Sequence, residues 1–229
     1  MTETIVMSVG GSLIVPDAID TTFLSNLKNL IDVHTASGRR FIIIAGGGRT
    51  ARRYQDAAKA VATLEREDLD WMGIHATRLN GHLLRTVFRD RAYRVMITNP
   101  DDIHDVPPHE RLIIAAGYRP GASTDLRAVQ IAERIGAKAM VNLSNTDYVY
   151  TDNPKTNPDA SAIETITWDN FMKLIPVDWD PGLSAPFDPV AARAATALGL
   201  EVAHINGTNL EALSNYLDGK PFVGTRIHP

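Results

Sequence analysis

Four short stretches carry the residue types from which a phosphate site is built. Residues 10–12 read Gly-Gly-Ser, residues 46–48 Gly-Gly-Gly, residues 117–125 Gly-Tyr-Arg-Pro-Gly-Ala-Ser-Thr-Asp, and residues 144–147 Ser-Asn-Thr-Asp. The second stretch follows the apolar run Phe41, Ile42, Ile43, Ile44 and precedes Arg49, Arg52 and Arg53. That order reads as a buried strand, a tight turn and a helix start. Glycine lets a ligand approach the backbone, and a helix start directs unpaired N–H groups and partial positive charge at an anion. Taken singly, each stretch is equally an ordinary strand-to-helix turn. Together they offer donors for more than one phosphate. Phosphoryl transfer suits such a set, because it chiefly needs positioning and charge neutralisation. An acceptor that is itself a phosphate needs no general base, in keeping with the lack of an evident Ser-His or Cys-His pair. No G-x-x-x-x-G-K-[ST], G-x-G-x-x-G or His-Glu-x-x-His pattern occurs, and the seven histidines are scattered without ligand spacing.

The elements that must hold these turns alternate. Residues 4–9 read as a strand. A helix capped by Asp20 or Thr21 follows, with Phe23, Leu24, Leu27, Leu30 and Ile31 on one face, ending at Gly38. The opening stretch supplies the second strand and second helix. Residues 68–91 read as a long helix in which Gly73 and Gly81 allow close packing or mark a break. Residues 93–98, 111–116 and 139–143 read as strands, residues 99–109 as a loop, and residues 125–135 as a helix capped by Ser123 or Thr124. Residues 151–159 look like an exposed joint between two lobes, and residues 178–189 like an ordered loop. Beyond it, 168–174, 190–198 and 210–217 are expected helices, 201–205 and 223–227 expected strands. Some 40 residues separate the first lobe's last strand from these. Strand–loop–helix alternation predicts an α/β fold with a parallel sheet covered by helices, whose turns share one edge where ligands bind.

Composition sets the outer bounds. The chain has 229 residues, 44% hydrophobic and 22% charged, with a net charge of -4 and no cysteine. It is long enough for a sizeable core. Its charge does not suggest a nucleic-acid polymer as partner. Without cysteine there are no disulfides, thiolate metal sites or cysteine nucleophiles. No apolar run approaches the ~20 residues that cross a bilayer. With no visible signal peptide, a cytoplasmic location and no membrane partner are expected. Trp71, Trp168 and Trp179 read as packing residues.

Seven pieces in order, GGSLIVP, GGGRTARRY, DWMGIHATRLNGHLL, GYRPGASTD, NLSNTDYVYTDNPKTNPDA, APFDPVAA and GTRI, span nearly the whole chain. In them the sequence resembles the amino acid kinase fold family, specifically its archaeal-type uridylate (UMP) kinases. The resemblance implies a three-layer αβα sandwich with a mainly parallel central sheet, in a single domain. Residues 1–138 would mainly bind the acceptor and residues 139–229 mainly ATP. It implies transfer of the ATP γ-phosphoryl group to UMP, giving ADP and UDP, with Mg2+ accompanying ATP, in a homo-oligomer that is a hexamer built from dimers. Gly11 and Ser12 would meet the ATP phosphates. Gly47 would face the UMP phosphate and Gly48 the ATP side. Arg52 would neutralise the phosphates, and Asp70 would accept from the ribose hydroxyls. Tyr118, Arg119, Pro120, Gly121, Ala122, Ser123 and Thr124 would wrap UMP, the last two as phosphate donors. Ser144, Asn145, Tyr150 and Asn153 fall at ATP-contacting positions. Asp147 and Asp188 match recurrent acids, Asp147 on the ATP side and Asp188 at the catalytic end.

Three departures stand out. Ser8 occupies the position, two residues before the first glycine pair, where many kinases of this fold carry lysine. Arg52 is then the first choice for the missing charge, with Arg49, Arg119 and Lys155 as possible helpers. Tyr118 replaces a threonine near the uracil, and Asn153 an aspartate near the adenosine. Two other readings stay open. One is a kinase of this fold acting on another phosphate, a carbamate or a carboxylate, although residues 49–51 lack the histidine of the isopentenyl phosphate branch. The other is a non-catalytic nucleotide- or oxyanion-binding relative.

Overall fold

The computed structural model describes residues 3–154, 156–178 and 185–229. A seven-stranded sheet runs in the order β3-β2-β1-β4-β8-β9-β7. Its strands are β1 (Thr4–Val9), β2 (Arg40–Ala45), β3 (Leu112–Ala115), β4 (Ala139–Ser144), β7 (Thr165–Thr167), β8 (Glu201–Asn206) and β9 (Thr225–His228). All neighbours are parallel except β8 and β9. β2 is buried from Phe41 to Ala45, as an apolar strand covered on both faces must be.

Helices cover both faces and make three layers. On one side α2 (Thr21–Ala36), α4 (Arg66–Val87) and α8 (Leu210–Leu217) enclose Leu27, Ile31, Leu84, Phe88 and Leu213. On the other, α5 (Thr124–Arg134), α6 (Trp168–Phe171) and α7 (Pro189–Leu198) enclose Val129, Trp168, Phe171, Phe187 and Ala195. Local chemistry fixes the ends. The Asp20 carboxylate accepts the Phe23 N–H at 2.8 Å, and the Ser123 hydroxyl accepts that of Leu126 at 3.1 Å. Pro189 opens α7, and Gly199 ends it with φ 59°.

Strand order reverses at β1, which lies between β2 and β4. The chain leaves β1 at Gly10, β2 at Gly46 and β4 at Asn145, so three of the four ligand-type stretches meet at this switch point. The two glycine turns pack backbone to backbone. A Cβ on Gly11 would lie 1.9 Å from the Gly48 nitrogen, and one on Gly48 would lie 2.1 Å from the Gly11 carbonyl oxygen. Gly48 also has φ +60°, so this contact demands glycine before any ligand arrives.

Several elements differ from expectation. Residues 93–98 form no strand. Ala92 bridges Leu112 and Ile97 bridges Ala115, so five steps on one side face three on the other and no continuous ladder can run. Residues 99–109 contain a 3-10 helix, Pro100–Asp105, started by the Asn99 side chain accepting the Asp101 N–H. A short helix α1 (Gly11–Ile14), not expected, follows β1 directly, whereas α3 (Gly48–Val61) is the helix expected after the second glycine turn. α4 is unbroken at its glycines. A Cβ at Gly81 would meet the Met96 sulfur at 2.7 Å, so close packing is the reason for that glycine. The gap between β4 and β8 is not strandless. Besides β7 it holds β5 (Val149–Tyr150) and β6 (Ala162–Ile163), an antiparallel pair that closes residues 151–159 into an excursion from the sheet. Of the expected loop 178–189, residues 179–184, including Trp179, lie outside the described residues. Trp71 is 37% exposed and lies against His75, whereas Trp168 is buried.

Candidate active site

α4 organises the site. Asp70, Gly73, Ile74, Thr77 and Asn80 recur at three- and four-residue spacing and so share one face. Asn80 donates to the carbonyls of Gly46 (2.8 Å) and Gly47 (3.2 Å), which fixes the glycine turn. The Thr77 hydroxyl accepts the Gly117 N–H at 2.8 Å. Arg78 donates to the carbonyls of Gly117 (3.0 Å) and Tyr118 (2.8 Å). Asp70 accepts the Gly121 N–H at 2.6 Å. One helix therefore pins both the glycine turn and the loop at 117–123.

Between them lies a cavity of about 230 Å³, lined among others by Gly47, Gly48, Arg52, Asp70, Ser123, Thr124, Asp125 and Asp188. α3 begins there with no side-chain cap; the Val15 carbonyl takes the Arg49 N–H at 3.1 Å, and the helix start still directs partial positive charge toward an anion. The three arginines of this helix are not equivalent. Arg49 and Arg53 both pair with Asp17, at 3.6 and 2.7 Å, on the exposed surface. Arg52 lines the cavity and has no carboxylate partner among the described residues. A second, wider cavity of about 770 Å³ shares Asp70 and adds Arg66, Pro120, Gly121 and Arg193, so Asp70 stands where the two join.

Asp188 has two tasks on its two oxygens. Oδ1 accepts the Ala191 N–H at 2.6 Å and caps α7, while Oδ2 is buried without a hydrogen-bond partner among the described residues. Desolvation raises its pKa, against the pull of the Ala191 N–H and the nearby Ser123 hydroxyl. Beside it, Asp125 accepts from the Ser8 hydroxyl at 2.8 Å and from the Asp188 N–H at 3.3 Å. Asp125 keeps some surface on the cavity, yet burial pushes its pKa up to about 6, and the Asp188 charge adds to this. Asp70 is also raised, mainly by desolvation, with the Gly121 N–H opposing.

The structure thus brings Gly47, Gly48, Arg52, Asp70, Ala122, Ser123, Thr124 and Asp188 to one cavity, with Pro120 and Gly121 on the adjoining one. Tyr118 and Arg119 line neither. The Tyr118 ring lies 5.5 Å from both the Arg119 and the Arg127 guanidinium, and Arg127 ties the loop by donating to the Arg119 carbonyl at 2.9 Å. Gly11 and Ser12 lie outside the cavity lining, with Gly11 against Gly48. Ser144, Asn145, Asp147, Tyr150 and Asn153 sit apart, at the end of β4 and on the excursion beyond it. There Asp147 accepts from Asn206 at 2.8 Å, joining the ends of β4 and β8. Lys155 lies outside the described residues.

Sequence reasoning missed Thr77, Arg78, Asn80, Arg127 and Asp125. Thr77 and Asn80 carried a signal, since they continue the face marked by Asp70. Asp125 carried none, because an acid in a first helical turn needs no ligand to explain it.

A mainly parallel α/β sheet with paired glycine turns at its switch point and an arginine in the cleft beside them defines a phosphate-handling protein of the phosphotransferase kind. The chain matches the amino acid kinase family over residues 3–205 and belongs to it. It is 30% identical to the uridylate kinase of Pyrococcus abyssi, over 98% of this chain and 99% of that one. It is 32% identical to the uridylate kinase of Methanospirillum hungatei, over 98% and 94%. The crystal structure of uridylate kinase from Archaeoglobus fulgidus superposes with a TM-score of 0.82 at 25% identity, covering 99% of this chain and all of that one. That of UMP kinase from Ureaplasma parvum, at 19% identity and a TM-score of 0.78, shares the fold.

Proposed function

We propose that this chain is a nucleoside monophosphate kinase that transfers the γ-phosphoryl group of ATP to UMP. One observation carries the reading: a single cavity is lined jointly by the glycine turn, Arg52, Asp70 and the start of α5 at Ser123 and Thr124. The acceptor phosphate rests between the uncapped start of α3 and the N-terminus of α5. The acceptor sugar lies toward Asp70, whose Oδ2 already holds the Gly121 N–H and which lines both cavities. Arg52 neutralises charge on the transferring group, the largest task that the protein has in such a reaction. The acceptor oxygen is ionised near neutral pH, so no side chain has to remove a proton. ATP approaches from the end of β4, with Gly11, Ser12, Ser144, Asn145, Asp147, Tyr150 and Asn153 on its side.

Mg2+ accompanies ATP in this reading and supplies charge neutralisation on the phosphates. The residues present fit it: Asp125 and Asp188 offer carboxylate oxygens at the cavity, and Oδ2 of Asp188 is buried with no partner. A homo-oligomer, hexameric in the family resemblance, and a cytoplasmic location belong to the same reading. Tyr54 and Val61 on α3 and Leu79 on α4 are exposed at 67%, 88% and 62%, which supports a subunit interface there. Among the described residues no helix is long and apolar enough to cross a membrane.

The test is ADP release with UMP, CMP, dUMP and isopentenyl phosphate as acceptors, in the presence of ATP and Mg2+. Turnover with UMP well above the other three is expected. Preference for another acceptor would shift the assignment within the family. Nucleotide binding without turnover on any acceptor would replace the kinase by a binding protein.

A further inference from the structure

Asp125 and Asp188 place two carboxylates on one wall of a cavity read as a site for polyphosphate. Their backbones and side chains are in contact, since the Asp188 N–H reaches Asp125 Oδ2 at 3.3 Å. Among the described residues neither acid has an ion-pair partner. Among the described residues, the cation that acts on the pair is Arg193, as the weakest influence on Asp188. Two unneutralised acids facing phosphates would repel the substrate and oppose the reaction.

The oxygens themselves are arranged for a ligand. Asp188 is 5% exposed, its Oδ1 is committed to the Ala191 N–H, and among the described residues its Oδ2 has no hydrogen-bond partner, although the nearby Ser123 hydroxyl acts on the carboxylate. A buried carboxylate oxygen left this way costs folding free energy unless something fills the place. On the other side, Ser8 is 1% exposed near the C-terminal end of β1 and directs its hydroxyl at Asp125. A hydroxyl brings no charge to the pair. The donor set is oxygen throughout, two carboxylates and a hydroxyl, which selects a hard divalent cation over zinc or copper.

We propose that Asp125, Asp188 and the Ser8 hydroxyl form a protein-borne site for one divalent cation of the magnesium class, filled before nucleotide arrives. The inference rests on the reading of this cavity as a phosphoryl-transfer site, but not on which acceptor it takes. It also gives position 8 a definite meaning. The Ser8 hydroxyl lies within a hydrogen bond of Asp125, so an ammonium introduced on that residue would reach the carboxylates and compete with the cation for them.

The test titrates Mn2+ into nucleotide-free full-length protein and follows the free ion by electron paramagnetic resonance. One Mn2+ per chain, displaced by excess Mg2+, is expected. Asp188→Asn and Ser8→Lys should each weaken binding at least about tenfold, with circular dichroism reporting on the fold. Should Asp188→Asn fail to fold, since it alters the cap of α7, the wild-type titration and Ser8→Lys decide. Wild-type protein that leaves Mn2+ free up to roughly 1 mM overturns the proposal, and a proton shared by the two acids is then what neutralises them. Undiminished binding in Ser8→Lys overturns it too. UMP turnover is measured on the same preparations. Its absence beside intact Mn2+ binding would strike the kinase assignment and leave the cation site standing.

Discussion

In the proposed reading, the acceptor side and the nucleotide side of this molecule are built differently. On the acceptor side, Asn80, Thr77, Arg78 and Asp70 reach from one long helix to the backbone of two loops. Arg127 adds a tie from α5 to the same loop. On the nucleotide side, Asp152 accepts from Asn153 and Asn157 within its own turn, and Asp147 meets Asn206 at the surface. Side chains anchored on helices fix a geometry more closely than turns that bond mostly to themselves. The acceptor cavity is therefore formed in the free chain. Of the residues proposed to meet ATP, Gly48 lines that cavity, and Ser144, Asn145, Asp147, Tyr150 and Asn153 lie at the end of β4 and beyond it.

Replacing Arg52 by alanine probes the acceptor side at its reacting end. Turnover should fall by about 10²- to 10³-fold, while Arg49→Ala, which removes only a surface pair with Asp17, should change it less than about twofold. Equal small losses in both would mean that the cavity arginine is not the one that acts, and the contrast would lose its functional side.

His204 tests what lies beneath the nucleotide side. It is fully buried between Asn142 and Thr146, and desolvation holds its pKa down at about 4, with the backbone near Thr146 and Pro186 opposing. The folded pKa is below the ordinary 6.5, so the unfolded chain takes the proton first. The stability that His204 contributes is present above pH 6.5 and is lost as pH falls toward 4, by up to about 3 kcal/mol. Asp125, held up at about 6, acts in the opposite direction over much of that range. The quantity to read is thus wild type minus His204→Gln in urea unfolding at each pH. A difference that does not change between pH 7 and 4.5 would refute the assignment.

Asn80→Ala should cost about 2 kcal/mol, because two carbonyls of the glycine turn lose their donor. It should also raise the KM for UMP more than that for ATP, which calorimetry and steady-state kinetics would separate. A selective rise in the KM for ATP would invert the contrast between the sides. The smallest effect is expected at Asp147→Ala. Its hydrogen bond is exposed, so thermal unfolding should shift by less than about 1 kcal/mol. A larger loss would show that the nucleotide side is as tightly determined as the other.

Much of this was legible in the chain because it is local. The apolar run before Gly46, the caps at Asp20 and Ser123, and the stop at Gly199 are each set by neighbours a few residues away. Once alternation implied a parallel sheet, the glycine turns had to share an edge. Arg52 could be preferred over its neighbours only through a family resemblance, whereas the structure separates them by the ion pairs that hold Arg49 and Arg53. The failed strand at 93–98 has the right residues, and what undoes it is a register that no local pattern encodes.

The sequence by itself determined most helices and strands, the glycine-rich turns and the identity of Asp188 as an acid before an α7-opening proline. Their physical cause is short-range. Only the tertiary structure decided how the turns use one another. It set Gly11 against Gly48 and gave α4 its place beneath two loops. It also brought Ser8, Asp125 and Asp188 together across separations of 117 and 63 residues. Such meetings depend on how the sheet is ordered and covered, and no window along the chain contains that order.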